Sequence, residues 1–241
     1  EEVRRFMHFI NGFNQLFDGN NNETIRNKYA EIKEFLANKK EGDMDNRDIL
    51  TIKGLIRRGE ARTSCTFNQI PLSRCHFLDL PFYETGKIEK NPISEADIEI
   101  VLKLLREVKP HQIYVAGDLA DPHGTHRVCT DAVFAAIDAE KDNDAEWLKE
   151  CRIWMYRGAW AEWEIENIEM AVPFSPEELR AKRNSILKHQ SQMESAPFLG
   201  NDERLFWQRS EDRNRGTAIL YDQLGLACYE AMEAFVEYKP L

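Results

Sequence analysis

A chain of 241 residues with a formal charge of −10 and a pI near 5.2 repels phosphate backbones, which argues against nucleic acid as a partner. Its 42% apolar and 31% charged residues describe one large or two small globular domains with a real core rather than a disordered chain. No apolar run reaches the roughly 20 residues of a membrane-spanning helix, and the scattered cysteines 65, 75, 129, 151 and 228 form no CxxC pair and fit a reducing, cytoplasmic setting.

The chain opens at Glu1, without a Met, directly in a helical pattern. Val3, Phe6, Phe9, Ile10, Phe13 and Phe17 recur near helical spacing, and the expectation is a fragment of a longer protein. FDGNNN is a turn cluster. Residues 23–39 read as an amphipathic helix with Ile25, Tyr29, Ile32 and Phe35 on one face. Asn46 or Asp48 caps a third helix running to about Phe67. CHFLDLPFY predicts a buried strand near 75–80, and ETGK a turn. Ser94 opens SEAD, the start of a capped helix that Pro110 ends. HQIYVAGDL predicts a strand over 111–117, ADPHGTH a loop, and Val128 to Ala139 a helix. CRIWMYRG predicts a strand over 151–157. Ser175 caps a helix over 175–193 with Pro176 at its first position, and 216–236 reads as the last helix. Strands alternating with helices predict an α/β fold, a three-layer, Rossmann-like, mostly parallel sheet with helices on both faces, in one domain over 1–241.

In open α/β sheets ligands bind beyond the carboxyl ends of the strands. The loop after HQIYVAGDL carries Asp118, Asp121, His123 and His126 at such an end. Two carboxylates and two imidazoles suit a catalytic zinc, which takes three protein ligands and an open position for water. Polar loop residues with a helix cap are the plainer reading of the same four side chains.

The wider pattern resembles the LmbE/PIG-L family of zinc-dependent N-deacetylases. DPHGTHR, followed by AVFAAIDAE, is similar to the family's histidine motif. RRGEARTSCTFNQI followed by HFLDLPFYETG resembles its Arg-x-x-Glu helix and Phe-Leu strand, and KRNSILKHQSQ its Lys-to-His-x-Ser-Gln helix. These pieces stand in family order over roughly residues 50–215. The resemblance implies His126 as a zinc ligand and His123 as the imidazole that stabilises the oxyanion and protonates the leaving amine. It implies that Asp121 orients His123, and that Arg57, Glu60 and Glu84 bind substrate.

Two departures stand out. Gly124 and Thr125 replace the motif's central Pro-Asp, and nothing here matches the family's first motif, which supplies a histidine and an aspartate to zinc and a second aspartate as base. His8, in FMHF, has no Asp-Asp partner and reads as helix packing or surface. The implied activity is therefore hydrolysis of the N-acetyl group of an amino sugar or its phosphate by the full-length protein, with zinc absent or weakly held and activity lost in this fragment. LDLPFYETG and RGAWAEWEIENIEMAVPFSPEEL look most like the subgroup fused behind a glucosamine-6-phosphate isomerase/deaminase-like domain. The alternative is a non-catalytic module attached to such a domain, whose activity names the parent. The implied partners are a small amino-sugar substrate, the fused upstream domain and a second copy in a homo-oligomer. Trp154, Trp160 and Trp163 could wall a sugar site or pack on the core, and Arg157 could bind phosphate or sit in a surface ion pair.

Overall fold

The computed structural model describes residues 2–17, 22–40, 42–83, 91–117, 124–158, 161–193 and 203–239. The chain divides into two compact units. Residues 1–77 and 184–200 form the first; 78–183 and 201–241 form the second.

The first unit is built from helices α1 (Glu2–Leu16), α2 (Asn22–Asn38) and α3 (Arg47–Phe67), with the short α7 (Gln190–Met193) added from far along the chain. Asn46 caps α3, its side chain accepting from the Ile49 N–H at 3.0 Å. The apolar faces predicted for the first two helices meet that of α3, burying Phe13, Ile32, Ile49 and Ile52. Two glycines bring α1 and α3 close: a Cβ on Gly12 would stand 3.3 Å from the Leu55 Cβ, and one on Gly59 would stand 3.0 Å from the His8 Nδ1. His8 is thus a packing residue against α3.

The second unit holds one sheet among the described residues, of strands β1 (Gln112–Ala116), β2 (Arg152–Tyr156), β3 (Met170–Phe174) and β4 (Ala231–Tyr238), in the order β1-β2-β4-β3. The two centrally predicted strands are there, parallel and in register from Gln112↔Arg152 to Ala116↔Tyr156. Helix α5 (Thr125–Asp142) links them as a crossover. The α/β class holds. The sheet is mixed rather than mostly parallel and Rossmann-like, because β4 pairs antiparallel with both β2 and β3.

Helices cover both faces. Val101, Leu102 and Leu105 of α4 (Glu95–Val108) join Ala132, Ala136 and Ile137 of α5, over Val115 and Ile153. Tyr238 faces the same way, stacked on Phe134 at 3.7 Å. Glu233, five residues back and so on the opposite face, meets α6 (Pro176–Ile186) and α8 (Phe206–Gln223) through Lys182, Arg213 and Asn214.

Three predicted elements change. Residues 75–80 are extended but unpaired: Leu78 and Leu80 pack on the core, while Asp79 takes φ 51° and Pro81 follows, so no ladder forms. The helix predicted over 175–193 breaks after Ile186 and resumes at Gln190. The last helix is Phe206–Gln223, and residues 231–238 are strand, not helix. Gly225 at φ 82° turns the chain, and AMEAFVEY then lies between β2 and β3. Ala, Met and Glu favour helix intrinsically, and burial in a central strand overrides that preference. β3 falls in a stretch where the sequence predicts no element. Its Pro173 is tolerated because β3 is the edge. No described helix is long and apolar enough to cross a membrane.

The capping box at α4 reaches beyond the helix. The Asp97 carboxylate is fully buried and accepts from the Ser94 N–H (2.8 Å), the Ser94 hydroxyl (2.5 Å) and the Phe82 N–H (2.8 Å). Burial pushes its pKa up, but these bonds outweigh burial and hold it below the ordinary carboxylate value. Asp97→Asn should therefore cost about 1–2 kcal/mol at neutral pH in urea unfolding. A folded-state pKa below the unfolded one gives stability that is present above the unfolded value and lost as pH falls through the folded one. The gap between the two proteins should close as pH drops below the ordinary Asp value of 3.8; a gap that widens in acid would contradict this account.

Candidate functional site

Parallel strands β1 and β2 end side by side, and their carboxyl edge is where an α/β sheet takes ligands. The pairing runs one residue past β1, the Gly117 N–H donating to the Tyr156 carbonyl at 2.7 Å. Thr130 of α5 ties the helix to the same edge, its hydroxyl donating to the Ala116 carbonyl at 2.7 Å. α5 starts after Gly124, whose φ of 66° is the left-handed turn that lets the chain enter the helix there. His126 lies in its first turn and is exposed. Asp118, Asp121 and His123 fall in 118–123, and Glu84 in 84–90, outside the described residues.

Beside this edge stands an aromatic platform. A Cβ on Gly117 would meet the Trp163 ring at 2.7 Å and the Met155 Cβ at 2.8 Å, so only glycine lets Trp163 seat against the end of β1. The Arg157 guanidinium lies over the Trp163 ring at 4.1 Å. Of the other tryptophans, Trp154 is buried in β2 and Trp160 lies outside the described residues.

Trp163 is held through its neighbour. Glu162 accepts from Arg213 Nη1 at 2.8 Å and from the Thr217 hydroxyl at 2.7 Å, both on α8. Arg213 Nη2 donates to Glu233, and Lys182 donates to Glu233 at 2.5 Å and to the Asn214 side-chain oxygen at 2.6 Å. Two cations and two carboxylates thus compensate one another, with only 7% of the Arg213 side chain exposed. Burial raises the pKa of Glu233, but Arg213 and Lys182 outweigh it and hold it below the usual range. Burial pushes Lys182 below the ordinary lysine value, with Glu233 pulling it back.

Arg57 and Glu60 belong to the first unit and do not behave as a pair. Arg57 is exposed on α3. Glu60 is 1% exposed, and its two oxygens accept from the Ser191 N–H (2.8 Å) and hydroxyl (2.6 Å). Its carboxylate holds α7 to α3, and a ligand would have to displace Ser191 to reach it. Next to it the Ser64 and Ser185 hydroxyls share a hydrogen bond of 2.7 Å, and Asn68 donates to the Ser185 hydroxyl at 2.7 Å.

Among the described residues no three His, Cys, Asp or Glu side chains are grouped to hold a metal ion. His126 is the one described residue to which the family resemblance assigns zinc. One imidazole is not a catalytic zinc site, so the described donor set does not fit that metal by itself.

The charge network was missed from sequence. Its signal is faint: Lys182 sits in a polar helix, and Glu233 interrupts an apolar run, which only a strand reading would have flagged as a buried charge.

The elements described define an α/β protein with a small mixed sheet that contains one parallel strand pair. A crystal structure of GalB, the 4-carboxy-2-hydroxymuconate hydratase of Pseudomonas putida KT2440, has a similar fold, with a TM-score of 0.54 and 13% identity over 88% of this chain and 79% of that one. No protein-family model matches the chain. Over all 241 residues it is 83% identical to a Bacteroides thetaiotaomicron protein named as glucosamine-6-phosphate deaminase-like, and it spans 36% of that protein's length.

Two substitutions test this geometry. Gly117→Ala should force the Trp163 ring off the end of β1, changing its fluorescence and costing about 1–3 kcal/mol; unchanged emission and stability would show that the ring does not sit there. Glu233→Gln leaves Lys182 and Arg213 facing each other without their shared carboxylate. The expected loss is about 3–5 kcal/mol at neutral pH, shrinking as pH falls below the ordinary Glu value of 4.5, because the folded-state pKa lies lower. A loss independent of acid would contradict the network.

Proposed function

We propose that this chain is a module of a longer sugar-phosphate-handling protein, working beside a glucosamine-6-phosphate deaminase-like part. The observation that carries this is the 83% identity, end to end, with a protein so named, of which the chain is 36%. Covalent attachment keeps the module at high effective concentration near the product or substrate of its neighbour.

A second reading is favoured by the carboxyl edge itself. Asp121 and His123 fall in sequence between the end of β1 and the helix that carries His126, and in α/β sheets ligands bind beyond the carboxyl ends of strands. With the resemblance to the LmbE/PIG-L deacetylases, this supports removal of the N-acetyl group from an amino sugar or its phosphate. In that reading His123 stabilises the oxyanion and protonates the departing amine, Asp121 orients it, and His126 holds zinc together with donors from the longer polypeptide. Arg57, Glu60 and Glu84 are the substrate contacts that the resemblance implies. For Glu60 this requires Ser191 to give way.

The two readings separate in one assay on the longer polypeptide. Acetate release from N-acetylglucosamine 6-phosphate and ammonia release from glucosamine 6-phosphate are followed in parallel, with His123→Ala and His126→Ala variants. If the module is a deacetylase, both variants lose acetate release, His123→Ala by about 100-fold or more, and ammonia release is unchanged. If it is a non-catalytic module, no acetate forms, and deleting residues 1–241 alters ammonia release. A longer polypeptide that releases neither product and binds neither sugar phosphate would overturn both.

A further inference from the structure

Two thiols that the proposed function does not use come together in the first unit. α3 ends at Phe67, and the chain reverses: the Ile70 N–H donates back to the Cys65 carbonyl at 2.9 Å, and Gln69 takes a left-handed φ of 61°. After Pro71 and a 3-10 turn over Leu72–Arg74 it runs back along α3, because the Phe77 ring lies 5.5 Å from the Arg58 guanidinium and 5.2 Å from that of Arg62. Cys75, two residues before Phe77, therefore falls beside the next turn of α3, which carries Cys65. Both cysteines are half-buried, and the Cys75 thiol also reaches the Pro71 carbonyl at 3.8 Å. A hydrogen bond with the Cys75 thiol, and then burial, holds the Cys65 pKa above the ordinary thiol value. Cys129, Cys151 and Cys228 belong to the other unit.

We propose that Cys65 and Cys75 are a modification site, oxidised by hydrogen peroxide to a disulfide that closes the turn around Gln69. One thiolate attacks a peroxide oxygen. The O–O bond breaks, and the departing hydroxide takes up a proton to leave as water. The second thiolate then attacks the sulfenic sulfur, the S–O bond breaks, the S–S bond forms, and a second water leaves. The two thiols give up two electrons and two protons, and the peroxide accepts both. The bridge lands one residue from Ser64 and inside the turn that carries Asn68, the two side chains that bind Ser185. Oxidation therefore stiffens the place where residues 184–193 attach to α3.

The sequence supplies a clean readout. Trypsin cuts after Arg62, Arg74 and Lys87, so Cys65 and Cys75 leave a digest on separate peptides, 63–74 and 75–87, unless they are bridged. The folded full chain, dilute, is treated with hydrogen peroxide, alkylated and digested without reductant. The expected product is the linked pair, formed about tenfold or more faster than in guanidinium-unfolded chain, as pre-positioned groups react, and separated again by dithiothreitol. Cys65→Ser and Cys75→Ser should each abolish it while the other three cysteines alkylate as before. Singly alkylated peptides at every peroxide dose, or linkage no faster than in the unfolded chain, would overturn the proposal.

Discussion

Lys182, Arg213, Glu162 and Glu233 meet largely out of water on one side of the sheet, and the placement of β4, α6, α8 and Trp163 depends on their mutual compensation. Each charge alone would be costly to bury; paired and hydrogen-bonded, they set geometry instead. Glu233 fixes β4 against α6 and α8. Arg213 passes that constraint to Glu162, which lies outside the sheet. Glu162 in turn seats Trp163 on Gly117, at the end of β1. The edge where a ligand is expected is thus positioned by charges on the face opposite the α4–α5 core, and mostly by residues far away in sequence.

That arrangement explains what was legible in the sequence and what was not. β1 and β2 were readable because they are short, β-branched and aromatic, and bounded by turn residues. Asp97 was readable because a capping box is local. β4 was not, because AMEAFVEY takes its conformation from β2 and β3, which lie elsewhere in the chain. Residues 75–80 look like a strand because core packing selects the same apolar residues that a ladder would, and the backbone at Asp79 is invisible in composition. For the site, of the residues of the histidine motif that carry roles only His126 falls among the described residues, in the first turn of α5. The buried network left no motif, because its members are spread from Glu162 to Glu233 and meet only in the fold.

The family resemblance names roles for Asp121, His123 and His126. Among the described residues the structure gives a parallel pair ending at Gly117, a helix beginning at Thr125, and Arg157 over the Trp163 ring beside the end of β1. Glu60 is a motif residue whose carboxylate is spent on holding two helices together through Ser191.

The proposed binding of a sugar phosphate at the carboxyl edge of β1 and β2 is tested most directly by amide hydrogen exchange on the longer polypeptide with and without N-acetylglucosamine 6-phosphate. Slowed exchange is expected at residues 116–118 and 155–163 when the sugar phosphate is added, with α1 and α2 unchanged. Binding that leaves those two stretches unaltered and protects another surface would contradict it.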